Sequence, residues 1–155
     1  MDNNSDFIYK YFKFIDKLNN YVFISTNNEY DEFIKNFDVL GMTNIHLCFS
    51  GDFNYPINNL PNGIKKIDLG YYFNQPIDNL PSGLESLSLG KNFNQPLDNL
   101  PYSLKLADVY CYQSNKILDN LPKSVKYLQI SNFDNKYPFI YFGTHKIFID
   151  ELNKM

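Results

Sequence analysis

From Leu47 to Ile130 the apolar residues recur in short alternations set about twenty residues apart. Leu47 and Phe49 open the series. Ile64, Ile67 and Leu69 follow, then Leu84, Leu87 and Leu89, then Leu104, Ala107 and Val109, then Val125, Leu128 and Ile130. The last two members of each set stand two apart, which is strand periodicity, and the residue between them faces the other way. A strand of roughly three to five residues cannot hold together alone. Stacked in parallel about 4.8 Å apart, such strands pair, and their apolar residues fall into columns that make one core. With roughly 1.5–3 kcal/mol from each inward side chain, a unit draws most of its stability from its neighbours, so adjoining units should melt together. The pattern predicts a solenoid.

Between the strands the chain must return across the back of the stack. Phe53, Phe73 and Phe93 each begin an FN-x-P segment, and Leu-Pro follows at 60–61, 80–81 and 100–101, with Leu121-Pro122 one residue late. Seven of the eight prolines occupy these two slots. Proline fixes its own φ and pushes the residue before it to an extended conformation, so the return path is expected to hold turns and extended segments rather than helix. Gly70 and Gly90 end two strands, where either a positive φ or a close backbone approach is expected. Pro-Asn-Gly at 61–63 and Pro-Ser-Gly at 81–83 read as turns back into the strand. Asn54, Asn74, Asn94 and Asn115 recur just beyond the strands. They are either solvent-exposed turn residues or an inward ladder of hydrogen bonds. The ladder is the preferred reading, because buried turn backbone must find partners. Asp78, Asp98 and Asp119 form a further column, read as local turn bonding rather than metal ligation.

A stack of strands exposes its core at both ends and needs caps. Residues 4–18 place Phe7, Tyr11, Phe14, Ile15 and Leu18 on one helical face, with Ser5 or Asp6 as its cap. YVFIST at 21–26 alternates as a strand, and residues 27–37 read as a helix with Tyr30, Phe33, Ile34 and Phe37 inward. The N-terminal cap is thus expected to span 1–43, the repeats 44–135, and a degenerate repeat with a C-terminal cap 136–155, all within one structural domain. Ile147 and Ile149 are expected to fill the strand slots of that last unit. The aromatic stretch at 137–152 should close the far end; left uncovered it would offer a dimerisation patch, so the expected state is a monomer or weak dimer.

Composition narrows the function classes. The 155 residues are 44% hydrophobic and 17% aromatic, which suits a folded chain with a substantial core. The formal charge is −3, and all fourteen basic residues are Lys. Without Arg, the main bidentate reader of phosphate and guanine, nucleic-acid binding is disfavoured. No basic flank leads into an apolar run at the start, and no uncharged apolar stretch suits a membrane span, so no membrane contact is expected.

The units LPNGIKKIDLGYYFNQPIDN and LPSGLESLSLGKNFNQPLDN, at 60–79 and 80–99, resemble the FNIP repeat. This is a variant of the leucine-rich repeat found in social amoebae and giant viruses of amoebae. They also look like the short Leu-Pro-type leucine-rich repeats of bacterial effectors. The resemblance implies an α/β-type leucine-rich-repeat-like solenoid, with a single curved parallel β-sheet of about five to seven short strands. Its convex side would be mostly extended and turn, and an α-helical cap would close its N-terminus. It also implies protein–protein binding in the cytoplasm, or in the host cytoplasm for a viral chain. Family members often carry an F-box, so a second reading is a substrate-recruiting adaptor for a ubiquitin ligase, with its adaptor contact in residues 1–40. The chain departs from the pattern at CYQSNKILDNLP (111–122), which carries one extra residue and lacks the Phe and first Pro, and at SNFDNKYPF (131–139). Irregular coils are expected there.

The outward strand positions define the candidate site. One column reads Cys48, Asp68, Ser88, Asp108 and Gln129, and the next His46, Lys66, Ser86, Leu106 and Tyr127, flanked by Tyr71, Lys91, Tyr110 and Cys111. Lys66, Asp68, Tyr71, Ser86, Ser88, Lys91, Asp108, Tyr110, Tyr127 and Gln129 are the predicted protein-binding residues, since Tyr is favoured at interfaces. Cys48 and Cys111 lie three rungs apart, about 14 Å, too far for a disulfide. A polysaccharide-acting enzyme built on Asp68 and Asp108, roughly 9–10 Å apart, is the minor alternative. Against it, no residue in the pattern would raise either carboxyl's pKa, and Lys66 would lower it. No phosphate loop, nucleophile elbow or zinc spacing is present. The expectation is a non-enzymatic module without cofactor or metal.

Overall fold

The computed structural model describes residues 15–16, 20–110, 121–130, 139–142 and 145–148. Strands β1 (Ile15–Asp16), β2 (Tyr21–Ile24), β3 (Ile45–Phe49), β4 (Ile64–Asp68), β5 (Ser86–Leu89), β6 (Leu106–Val109), β7 (Tyr127–Ile130), β8 (Phe139–Phe142) and β9 (His145–Phe148) form one sheet. Spatial order follows chain order. The six strands from β2 to β7 are parallel, and each gives way to the next by one solenoid turn. The return segments 50–63, 70–85 and 90–105 contain turns and no helix, as their prolines require. Each re-enters its strand through a tight turn, in which Ile64, Leu84 and Leu104 donate their backbone N–H to the carbonyls of Pro61, Pro81 and Pro101, and Val125 does the same to Pro122 ahead of β7.

The core is built as columns. Strand register places Leu47, Ile67, Leu87, Ala107 and Leu128 in file, and all five are buried. The repeat of twenty is therefore the repeat of the rung. Behind that file a second column carries the aromatic share. Phe53 and Phe73 stack at 6.4 Å and 1°, and Phe73 and Phe93 at 6.5 Å and 5°. Ile57, Ile77 and Leu97 fill the outer side. Among the described residues no charged or polar side chain is buried in this core. The extra residue in the fourth unit does not disturb pairing: Ser86 faces Leu106 at an interval of 20, Leu106 faces Tyr127 at an interval of 21, and both pairs are in register. The insertion falls within the return path, where loop length costs little.

Gly70 and Gly90 are required for proximity, not for an unusual φ; among the described glycines only Gly41 is left-handed. A Cβ on Gly70 would collide with the carbonyl oxygen of Ser50, and one on Gly90 with that of Gly70. The coils touch backbone to backbone at this corner. Gly90→Ala is expected to prise neighbouring rungs apart and cost about 2–3 kcal/mol, read as a lower urea midpoint. An alanine variant with the wild-type midpoint would show that the corner yields freely.

At the N-terminus β2 continues the parallel sheet and α1 (Asn27–Leu40) packs over the first coil. Thr26 caps the helix: its Oγ1 accepts from Glu29 N at 3.2 Å, while Glu29 Oε2 accepts from Thr26 N at 3.0 Å. The helix ends at left-handed Gly41, φ 58°. Tyr30 and Phe33 are buried, with Ile34 and Phe37 partly so, and the Tyr30 hydroxyl donates to the Asn58 carbonyl at 2.7 Å. That bond ties the cap to the first return path.

Two expectations about the ends need correction. Ile15 and Asp16 are not the tail of a helix over 4–18; they form β1, antiparallel to β2. Pairing there covers backbone groups that β2 would otherwise expose at a sheet edge. The rest of that segment, with its Ser5 or Asp6 cap, lies outside the described residues. At the other end Ile147 does not occupy a further parallel coil. It sits in β9 and pairs with Ile140 of β8, and both strands run antiparallel. Two residues separate β8 from β9, enough for a hairpin, whereas a parallel crossover needs about a dozen or more. Of the irregular coils expected at 111–122 and 131–139, residues 111–120 and 131–138 lie outside the described residues, as does Ile149; Cys111, Asn115 and Asp119 fall among them.

Candidate functional site

The outward side chains of β2 to β7 make two rows across the sheet. Register aligns Tyr21, His46, Lys66, Ser86, Leu106 and Tyr127 in one row, and Phe23, Cys48, Asp68, Ser88, Asp108 and Gln129 in the other. Parallel pairing at equal intervals forces this, because every rung presents the same phase of its alternation. The ends of the face are aromatic, with Phe23 47% and Tyr127 55% exposed, while its middle is polar. Tyr21 and Phe23 belong to the face but were not among the sequence-derived site residues. The alternation of YVFIST was the signal that could have found them, once β2 was known to be the first rung.

Tyr71 and Lys91 stand just beyond the strands, with Lys91 Nζ 5.5 Å from the centroid of the Tyr71 ring. Tyr71 in turn meets Tyr72 edge-on at 4.8 Å. Tyr110, past β6, is half-buried; burial pushes its hydroxyl pKa up, and the nearby charges of Asp108 and Asp68 add to the shift. Below the face, Glu85 accepts from Lys105 at 2.7 Å and lies 3.5 Å from Lys65, and the Lys105 contact holds its carboxyl below the usual range.

The absence of any group that would raise a carboxyl pKa does not hold for Asp108. Burial raises it, and the charge of Asp68 adds to the rise. A carboxyl whose pKa is raised by folding binds its proton more tightly in the folded state. Its ionisation therefore removes stability as pH climbs above the ordinary carboxylate range. Asp108→Asn should raise the urea midpoint near neutral pH and leave it unchanged in acid below that range. Identical midpoints at neutral pH would mean that the face solvates Asp108 fully.

Asp68 meets two outward neighbours on β3. Its Oδ2 lies 2.8 Å from His46 Nε2 and 3.6 Å from Cys48 Sγ. The His46 ring lies against Tyr21, with centroids 4.4 Å apart, and its Nδ1 is buried with no partner among the described residues. Cys48 is a free thiol whose pKa is pushed up to about 12, first by burial and then by Asp68. One donor atom from each of His46, Cys48 and Asp68 lies within 4.8 Å of the others. No sequence spacing announces this trio, because strand pairing alone brings position 68 beside 46 and 48.

The Asn column lies early in the return path, just past the strands, and follows one rule. Asn54 Oδ1 accepts from Asn74 N at 2.9 Å, and Asn74 Oδ1 accepts from Asn94 N at 2.8 Å. Gln75 and Gln95 reinforce each rung, donating Nε2 to the Asn54 and Asn74 carbonyls at 3.3 and 3.0 Å. Asn54 and Asn94 are exposed and Asn74 half-buried, so these coil-to-coil bonds lie at the solvent side of the turn rather than inward. The glutamines, present as FNQP in two units, complete the clamp. A shallow groove of about 460 Å³ lies beside it, between Tyr72, Asn74 and Lys91.

Comparison with known proteins bears on the part of the chain where these rungs are most regular. No curated protein and no solved structure matches the chain. The sequence model of the FNIP Repeat family matches residues 53–79 and again 73–106. Those spans hold the three stacked phenylalanines, the Asn–Gln clamps and the two close-contact glycines. With the solenoid of parallel rungs, they show that residues 53–106 of the chain are FNIP repeats.

Proposed function

We propose that the chain is a non-enzymatic interaction module that binds a protein partner in the cytoplasm through its exposed sheet face. The observation that carries this is the exposed aromatic margin, Phe23 at one end and Tyr127 at the other, framing Lys66, Asp68, Ser86, Ser88, Asp108 and Gln129. Large aromatic side chains left half in water are anchors of the kind that interfaces use, and a mixed polar centre supplies register. Tyr71, Lys91 and Tyr110 extend the same surface past the strand ends. The carboxylates of Asp68 and Asp108 stand two rungs apart, and Asp68 is already engaged by His46 and Cys48. That arrangement favours recognition over acid–base chemistry.

Affinity capture with the full chain and with a Phe23→Ser/Asp108→Lys/Tyr127→Ser variant tests the reading. Proteins held by the wild type and lost from a variant of equal melting temperature are the expected result. An unchanged captured set would remove the sheet face as the binding surface. Turnover of a polysaccharide, lost in Asp68→Asn/Asp108→Asn, would overturn the non-enzymatic reading. The ubiquitin-ligase adaptor reading gains no support from α1, whose apolar residues Tyr30 and Phe33 are buried on the first coil. Recovery of ubiquitin-ligase subunits with the wild type would restore it.

A further inference from the structure

We propose that His46, Cys48 and Asp68 form a binding site for a divalent zinc-like cation on the sheet face. His46 and Cys48 stand two apart on β3, so both project outward, and Asp68 is the register partner of Cys48 on β4. Imidazole nitrogen, thiolate sulfur and carboxylate oxygen are all ordinary zinc ligands. Three protein ligands with a fourth position left to water or an incoming group is the pattern of an open zinc site.

The spacing fits. Bonds of about 2.0–2.3 Å in a tetrahedron put ligand atoms roughly 3.3–3.6 Å apart. Cys48 Sγ and Asp68 Oδ2 are separated by 3.6 Å, and His46 Nε2 and Asp68 Oδ2 by 2.8 Å, so little movement converts hydrogen bonds into coordination. The three side chains are neither sealed in nor fully solvated; those of His46 and Asp68 are 17% and 47% exposed. A cation can therefore reach them, and β3 and β4 hold two of the three donors directly opposite each other.

Protons balance simply. The thiol of Cys48 loses its proton to solvent as sulfur binds the cation. In the metal-bound form the one proton of the neutral His46 ring sits on Nδ1, leaving Nε2 as the ligand. Burial beside a carboxylate makes Cys48 a poor thiolate in the absence of a cation, and a divalent charge at this point reverses that local balance. Selectivity follows from the donor set: one sulfur and one nitrogen favour zinc over calcium or magnesium, which take oxygen.

Titration of the full chain with Zn²⁺ against a chromophoric chelator, paired with Co²⁺ spectroscopy, tests the site. One equivalent should bind, and Co²⁺ should show a thiolate-to-metal charge-transfer band with the visible bands of a tetrahedral ion. Loss of a supporting group outside the coordination shell costs roughly 10–100-fold in affinity, so loss of a ligand should cost at least that much. Cys48→Ser should abolish the charge-transfer band, and Asp68→Asn and His46→Gln should each weaken Zn²⁺ by at least about 10-fold. Cys111→Ser should bind as the wild type does. Melting curves without metal establish that each variant is folded, and the outward position of all three residues makes that the expected outcome. No uptake of Zn²⁺ by the wild type, or equal affinity in folded Cys48→Ser, would overturn the proposal. A charge-transfer band lost in Cys111→Ser and kept in Cys48→Ser would do so as well. In those cases the trio is a hydrogen-bonded cluster only.

Discussion

Leu87→Asp is expected to abolish the cooperative unfolding transition of the central repeats. Leu87 is 1% exposed and sits in file between Ile67 and Ala107. No polar side chain among the described residues lies in that core to receive a carboxylate, and an unpaired buried charge costs more than a domain of this size can spare, whose whole stability is about 5–15 kcal/mol. Protonating the carboxyl instead would leave a polar group without a partner among hydrocarbon. Because each rung is stabilised mainly by the next, the damage should spread to the units on either side. The control lies one residue away. Ser86 points to the outer face and aligns with Lys66, so Ser86→Asp should change stability by less than about 0.5 kcal/mol. Far-UV circular dichroism with a urea titration distinguishes the two. A folded Leu87→Asp, or an equally damaged Ser86→Asp, would mean that the inward and outward phases have been exchanged.

The second large effect is expected at the aromatic column. Phe73 is fully buried, with Phe53 and Phe93 stacked on its two sides at 6.4 and 6.5 Å, and Phe49 at 6.3 Å. Truncation to alanine removes the transfer energy of the ring and opens a cavity that three aromatic neighbours line. Such losses run to about 3–5 kcal/mol. A solenoid cannot close that space by shifting one rung, because the strands and the Asn–Gln clamps hold the spacing on two other sides. Phe73→Ala should lower the urea midpoint with little change in slope. Phe73→Ala/Phe93→Ala should cost less than the sum of its parts, since the two rings share one wall. A single variant within about 1 kcal/mol of wild type would show that the column fills space without holding the coils together.

These two effects differ in how they read out the repeat. The Leu87 position is legible from alternation alone: two apolar residues two apart, recurring at twenty, leave no other inward choice. The phenylalanine column is legible as a repeat, but its parallel stacking is not. Likewise the Asn positions are evident in FN-x-P, while the place of their coil-to-coil bonds, at the solvent side of the turn and shared with Gln75 and Gln95, depends on where the return path runs. Gly70 and Gly90 left two explanations open, and only the distance between neighbouring coils chose close approach over a positive φ.

The chain's own pattern determined the solenoid, the rung positions, the inward and outward faces, the helical cap over 27–37, which the structure extends to Leu40, and the turn-rich return path. These are consequences of local geometry repeated at a constant interval, so a linear string contains them. Tertiary structure alone decided the rest. The antiparallel β1, β8 and β9 follow from which sheet edge each terminal segment can reach, and the short connection from β8 to β9 permits only a reversal. The raised carboxyl of Asp108 and the meeting of His46, Cys48 and Asp68 come from pairing across coils. Periodicity reports which way a side chain points; pairing of distant strands decides what it points beside, and the chemistry of this face depends on the latter.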